Sequence, residues 1–221
     1  MPDLDFRVES AEPLTYSVSP HLVFKVLVTN NDAVQQIQNV LLQCQIRIET
    51  VKRQYSDEEK ANLFELYGEP ERWGDTLTSM LWTHASTTVR PFSENTTIDL
   101  PVPCTFDFNV AATKYFDGLD DGEIPINLLF SGTVFYRDDG GDLQIAQISW
   151  EKEASFRLPV SAWKKMMDHY YPNSAWLNIR KDVFEKLQDY KVRNVIPNWE
   201  QAFESLLRDQ TPALRNGHKT N

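Results

Sequence analysis

Hydrophobic and polar residues alternate with period two through most of the chain, and after Pro159 the period changes to three and four. In residues 21–28, Leu22, Phe24, Val26 and Val28 share one face. In residues 40–49, Val40, Leu42, Cys44, Ile46 and Ile48 oppose Leu41, Gln43, Gln45, Arg47 and Glu49, the pattern of a strand with one wet face. The turn composition of Thr29-Asn30-Asn31-Asp32 between them suggests an antiparallel pair. Further strands are expected over 81–90, 96–100, 106–110, 124–137, 143–150 and 154–158. Asp138-Asp139-Gly140-Gly141-Asp142 is the strongest hairpin turn. About eight to ten short strands at this spacing predict a two-sheet sandwich.

One helix interrupts the strands. Ser56-Asp57-Glu58-Glu59 is a capping box ahead of Ala61, Leu63, Phe64, Leu66 and Tyr67, with Gly68 as the stop. Beyond Pro159, Ser161 can cap a helix carrying Trp163, Met166, Met167 and Tyr170 on one side, ending before Pro172. Ser174 can cap a second, with Trp176, Ile179, Val183, Leu187 and Tyr190 at helical spacing, and Asn198 a third, with Trp199, Ala202, Phe203, Leu206 and Leu207. The expected fold class is therefore α+β: a mostly antiparallel two-sheet β-sandwich of Ig-like architecture with a C-terminal helical segment packed on it. The sandwich would span 1–159 with its helical insertion near 57–67, the helices 160–209, and a flexible tail 210–221. Trp163, Trp176 and Trp199 would form the seam between helices and sheet.

Charge divides along the same line. Residues 1–155 carry a net charge of −14 and residues 156–221 carry +4, within a 221-residue chain of net −10. So acidic a sandwich repels nucleic acid and anionic membrane, and a protein partner is expected instead. No apolar run reaches the length of about 20 residues that crosses a bilayer, and Met1-Pro2-Asp3-Leu4-Asp5-Phe6 has no secretory pattern, so cytoplasmic residence is expected. Cys44 and Cys104 read as buried thiols in a reducing compartment.

Candidate chemistry is sparse. No Gly-rich phosphate loop, H-E-x-x-H, G-x-S-x-G or paired CxxC is present. The run Asp117-Gly118-Leu119-Asp120-Asp121-Gly122-Glu123 gathers carboxylates but lacks the spacing of a calcium loop and reads as an acidic turn. No metal and no cofactor is expected. His84 would share a strand face with Trp82, and a Cys–His site with Cys44 or Cys104 is conceivable but not indicated by spacing. The aromatic residues are the richest feature, since tryptophan and tyrosine serve both cores and binding surfaces. The candidate ligand- or partner-binding residues are Trp73, Trp82, His84, Tyr115, Asp120, Asp121, Tyr170 and Tyr171, with Trp73, beside Gly74, as the expected exposed anchor.

Three stretches carry a family resemblance: Gly68-Glu69-Pro70-Glu71-Arg72-Trp73-Gly74, Pro101-Val102-Pro103-Cys104-Thr105 and Met167-Asp168-His169-Tyr170-Tyr171-Pro172-Asn173-Ser174. Through them the chain resembles, over nearly its whole length, an uncharacterised bacterial family catalogued only as a domain of unknown function. The resemblance assigns no catalytic or binding residue. Its association with gene neighbourhoods of [NiFe] hydrogenases implies an accessory role in assembling or regulating such a complex.

The leading functional expectation is thus a non-enzymatic interaction or accessory protein. The alternatives are a carbohydrate or small-ligand binding sandwich module, or an enzyme with a non-local site built from Asp120, Asp121 and His84.

Overall fold

The computed structural model describes residues 2–32 and 35–210, and the chain divides into two compact units, at 1–174 and from 175 onward. In the first unit, β1 (Leu4–Pro13), β2 (His21–Asn30) and β5 (Asn95–Pro103) form one antiparallel sheet in the order β1-β2-β5. The second sheet has the order β4-β3-β6-β7, from β4 (Met80–Val89), β3 (Gln36–Ile48), β6 (Glu123–Arg137) and β7 (Leu143–Gln147). β8 (Glu153–Pro159) pairs with the first half of β6, and every pairing is antiparallel. The inner faces meet through side chains that the alternation places inward. Phe6 stacks on Phe130 at 4.2 Å between centroids, and Phe24 meets Trp82 and Phe156 edge-on, each at 6.1 Å. The expected two-sheet antiparallel fold is what forms.

The expected pairing of residues 21–28 with 40–48 is not. β2 and β3 lie in different sheets, and the segment between them crosses from one to the other. Asn30 anchors that crossing from a buried position: its amide donates to the carbonyls of Asp32, Gln35 and Ser93 at 2.8–3.1 Å, tying both crossing segments together. A polar turn signals a reversal, and it cannot signal whether the next strand joins the same sheet. β1 was not among the expected strands, although Leu4, Phe6 and Val8 alternate with Asp5, Arg7 and Glu9 and are buried.

Residues 106–110 do not form a strand. Phe106-Asp107-Phe108 turns, and Asn109 Oδ1 accepts the Ala112 N–H at 3.1 Å to start a helix over Val110–Asp117. Ala112, Tyr115 and Phe116 bury at helical spacing, which overrides two alternating phenylalanines. The insertion forms as two short helices, α1 (Asp57–Asn62) and α2 (Phe64–Tyr67), followed by α3 (Trp73–Thr76) and, after β5, by the Val110–Asp117 helix, α4. The expected capping box is present, with both the Ser56 and Glu59 bonds made.

α5 (Val160–Tyr170) packs on the sandwich with Val160, Trp163, Met166 and Met167 buried, so this helix belongs to the first unit. The division falls after Ser174 instead of after Pro159. Ser174 does not cap a helix: its hydroxyl donates to the Pro172 carbonyl, Asn173 takes a left-handed φ of 53°, and residues 175–180 are irregular. The second unit is a helical pair, α6 (Lys181–Arg193) and α7 (Trp199–Gln210). Trp199 packs there against Phe184 at 5.3 Å, and the Tyr190 and Ser205 hydroxyls meet at 2.9 Å. Of the three expected seam tryptophans, Trp163 is buried under the sandwich, Trp199 packs within its own unit and Trp176 is exposed. The tail expected from residue 210 falls, at 211–221, outside the described residues.

Candidate functional site

A depression of about 510 Å³ opens beside α1 and the acidic run, lined by Arg53, Gln54, Ser56, Glu59, Asp120, Asp121, Gly122, Glu123 and Arg157. Its centre is a bidentate ion pair. Arg53 Nη1 and Nη2 donate to the two Glu59 carboxylate oxygens at 3.0 and 2.8 Å, with side-chain exposures of only 8% and 6%. The rest of the guanidinium is taken by backbone: Nε by the Glu123 carbonyl at 3.1 Å, Nη1 by that of Gln54 and Nη2 by that of Asp121. All five donors of the arginine are thereby matched. Glu59 in turn accepts the N–H groups of Ser56 at 3.1 Å and Asp120 at 3.0 Å. Burial pushes the Glu59 carboxyl up, but Arg53 and these N–H donors outweigh it and hold the group below its ordinary value. With its donors all engaged, this arginine is not an open anion site but a filled clasp joining residues 53–59 to the acidic run.

Beneath it lies an aromatic cluster. The Tyr55 and Tyr115 hydroxyls meet at 2.8 Å, and Trp73 packs edge-on against Tyr55 and Tyr67 at 5.2 and 5.8 Å. Burial pushes the Tyr115 phenol far up. Trp73 was expected to be an exposed anchor; it is buried, and its Nε1 donates to the Gly68 carbonyl at 3.1 Å. Tyr115 is likewise fully buried.

Trp82 is buried against Phe24 and Phe116, and it does not share a face with His84. The register of β3 and β4 slips between Ile46 and Arg47, so Trp82 is an extra residue on β4. That bulge buries Trp82 and Thr83 together and turns His84 out to solvent. Cys44 lies on the inner face of the sheet, where burial pushes its thiol up to about 12, and Cys104, also buried, donates to the Val102 carbonyl at 3.2 Å. Cys44 and His84 thus occupy opposite faces, and Cys104 lies just past the end of β5, a strand of the other sheet.

Of the candidates, only Asp120 and Asp121 line the depression, and both are exposed. Asp117 instead turns to Trp163, whose Nε1 donates to its Oδ1 at 2.9 Å; burial nonetheless raises the Asp117 carboxyl above its ordinary value. Among the described residues, no group of three or more His, Cys, Asp or Glu is disposed to hold a metal ion. Half-buried Tyr170 fastens α5 to the segment after β1, its hydroxyl donating to the Leu14 carbonyl and accepting the Ser17 N–H at 3.2 Å. Half-buried Tyr171 packs on Phe106 at 4.7 Å. A second, polar depression of about 640 Å³ lies where β4 and β5 approach, with Lys25, Thr87, Arg90, Thr97 and Asp99 in its lining. Sequence reasoning missed Arg53 and the structural role of Glu59. The capping box marked Glu59 only as a helix start, and nothing local to Arg53 reveals five acceptor atoms converging from four residues, two of them in the distant acidic run.

Comparison with known proteins returns distant similarities to solved structures and a family. The CARDB domain of a Pyrococcus furiosus protein, solved in complex with di-metal ions, is 11% identical with a TM-score of 0.28, covering 72% of this chain and 92% of that one. A protein assigned to the late embryogenesis abundant group is 16% identical with a TM-score of 0.30, covering 72% and 73%. The sporulation control protein Spo0M of Bacillus subtilis is 12% identical with a TM-score of 0.25, covering 72% and 48%. The search of curated proteins returns no match. The family profile that matches, over residues 1–214, is that of a family of unknown function, DUF6084.

Proposed function

Because the chain belongs to DUF6084, whose function is unknown, we propose a function from its own surfaces: it is a non-enzymatic accessory protein that holds a protein partner through the helical unit α6–α7. Val195 carries this reading. Ile196 donates its N–H to the Lys191 carbonyl at 3.0 Å, the closure that ends a helix with a left-handed residue, and Val195 is that residue at φ 55°. Glycine is the usual occupant, and a β-branched residue costs about 1–2 kcal/mol there. Val195 is 88% exposed, so burial among the described residues does not offset that strain, and Val192, one turn earlier, is 64% exposed. A strained apolar side chain held out to solvent is the signature of a contact made with something else. Assembly or regulation of a larger complex, of the hydrogenase type that the family resemblance suggests, is the role this reading favours.

The enzyme reading loses its footing because Asp120 and Asp121 rim a depression whose lining does not include His84. The carbohydrate reading wants a ring to stack on, and neither of the two depressions described has an aromatic residue in its lining. No helix among the described residues is long and apolar enough to cross a membrane.

Val195→Gly separates the contributions. It should stabilise the end of α6 by about 1 kcal/mol, seen as slower amide exchange at residues 195 and 196. It should also weaken recovery of the partner from the native host. Stabilisation with undiminished partner recovery would contradict the reading.

A further inference from the structure

We propose that the outer edge of β7 is a second protein-binding surface, which adds to the sheet an extended segment of a partner with alternating aliphatic residues and basic ends. The phase of the β6–β7 ladder is set by Asp138 donating to the Asp142 carbonyl and Ile148 donating to that of Gly132. Gln144 and Ala146 therefore bond inward to β6, and Leu143, Ile145 and Gln147 direct their N–H and C=O groups outward. Among the described residues β7 pairs with β6 alone, and no hydrogen bond satisfies those outward groups. On the face that Leu143, Ile145 and Gln147 share, two of the three side chains are apolar and exposed, Ile145 at 64% with Leu143 beside it, and exposed Trp150 follows the strand at 89%.

The other edges are defended in the ways sheets avoid association. β1 carries Asp5, Arg7, Glu9, Glu12, Pro13 and a bulge; β5 carries Asp99, Pro101 and Pro103; β8 carries Glu153, Arg157 and Pro159; β4 carries the bulge at Trp82. β7, with the sequence Leu143-Gln144-Ile145-Ala146-Gln147, has no charge, no proline and an unbroken register.

Charge identifies the occupant. At one end of β7 stand Asp138, Asp139 and Asp142, and at the other Glu151 and Glu153, while Lys152 between those two is engaged by Asp3 and Asp5 at 2.7 Å each. Arg137 at the turn donates to the Gly141 carbonyl at 2.6 Å, and it leaves that end net acidic. A second copy paired antiparallel about Ile145 would set the acidic turn of one molecule against Glu151 and Glu153 of the other. A segment with lysine or arginine at both ends meets acid at both, and main-chain bonds to Leu143, Ile145 and Gln147 would hold it between.

The test uses the full chain and a fluorescent peptide of about ten residues, with isoleucine alternating with threonine and two lysines at each end, beside a control bearing glutamates at the ends. Saturable binding of the lysine peptide is expected, at least about tenfold tighter than the control at low salt. Amide exchange at Leu143, Ile145 and Gln147 should slow in the complex while Gln144 and Ala146 stay as they were. Ile145→Pro removes an outward N–H that β6 does not use, so it should keep the melting temperature and lose at least about tenfold in affinity. Should that variant fail to fold, the triple variant Asp139→Asn, Asp142→Asn, Glu151→Gln carries the test through a several-fold loss for the lysine peptide alone. Binding of neither peptide, equal binding by the variants, protection elsewhere, or a native dimer that Ile145→Pro splits would each overturn the proposal. β7 lies in the first unit, so failure here leaves the reading of α6–α7 standing, and the reverse.

Discussion

Replacing Gly132 with alanine should destabilise the first unit by about 3 kcal/mol or more, a fall in melting temperature of roughly 6–12 °C. Gly132 sits in mid-β6 at φ 144°, opposite Leu42 on β3. A Cβ there would lie 2.1 Å from the Leu41 carbonyl oxygen, 3.1 Å from its carbon and 3.3 Å from the Leu42 Cα. All three are backbone atoms of the central strand pair, so no side chain can rotate aside, and relief requires the β3–β6 ladder to part. Gly74→Ala is the control: its Cβ would meet nothing within 4 Å, and the backbone there is ordinary. Thermal melts of the two variants beside the parent would show a large loss for the first and almost none for the second. A near-neutral Gly132→Ala would mean β3 and β6 are not joined in this register.

Breaking the Arg53–Glu59 clasp from one side should cost about as much. Arg53→Ala leaves a buried carboxylate without its partner, a loss of about 3–5 kcal/mol. It also frees three backbone carbonyls that Arg53 ties together from residues 54, 121 and 123. Glu59→Gln should be destabilised at neutral pH as well, and the gap should depend on pH with a definite sign. The folded-state carboxyl titrates below its ordinary 4.5. Its contribution is therefore present above that value and disappears as pH falls through the lowered one. Denaturation midpoints of parent and Glu59→Gln should draw together on acidification and meet once the pH lies below that lowered value. A gap that persisted would assign the effect to shape instead of charge.

These two positions show what was legible in the sequence and what was not. The alternation in 40–48 placed Val40, Leu42, Cys44, Ile46 and Ile48 inside, and all five are buried. Ser56 and Glu59 announced a helix start, and the turn at Asp138–Asp142 a hairpin, because both signals are written in consecutive residues. The assignment of strands to sheets was not legible. It depends on the long-range contacts of Asn30 and on which edge each strand meets. The bulge at Trp82 was hidden for the same reason: an extra residue on β4 exists only relative to β3. That one slip moved His84 from Trp82's side of the sheet to the other. Trp73 looked like a surface anchor because its neighbours are Gly74 and charged residues. Its burial comes from Tyr55 and Tyr67, which helical and turn segments bring from elsewhere in the chain. The left-handed geometry at Val195 was invisible as well, since nothing in Arg193-Asn194-Val195-Ile196 advertises a helix end of a kind that normally takes glycine.

The claim that the protein works by holding a protein partner through its second unit is tested most directly by recovery from the native host. The full chain and a chain ending at Ser174, each tagged and expressed at its natural level, would be purified and their associated proteins quantified by mass spectrometry. The account predicts a protein recovered in near-equimolar amount with the full chain and depleted at least about tenfold with the shortened one, a difference of about 1.4 kcal/mol or more in binding. Equal recovery with both chains, or no stoichiometric partner with either, would contradict it.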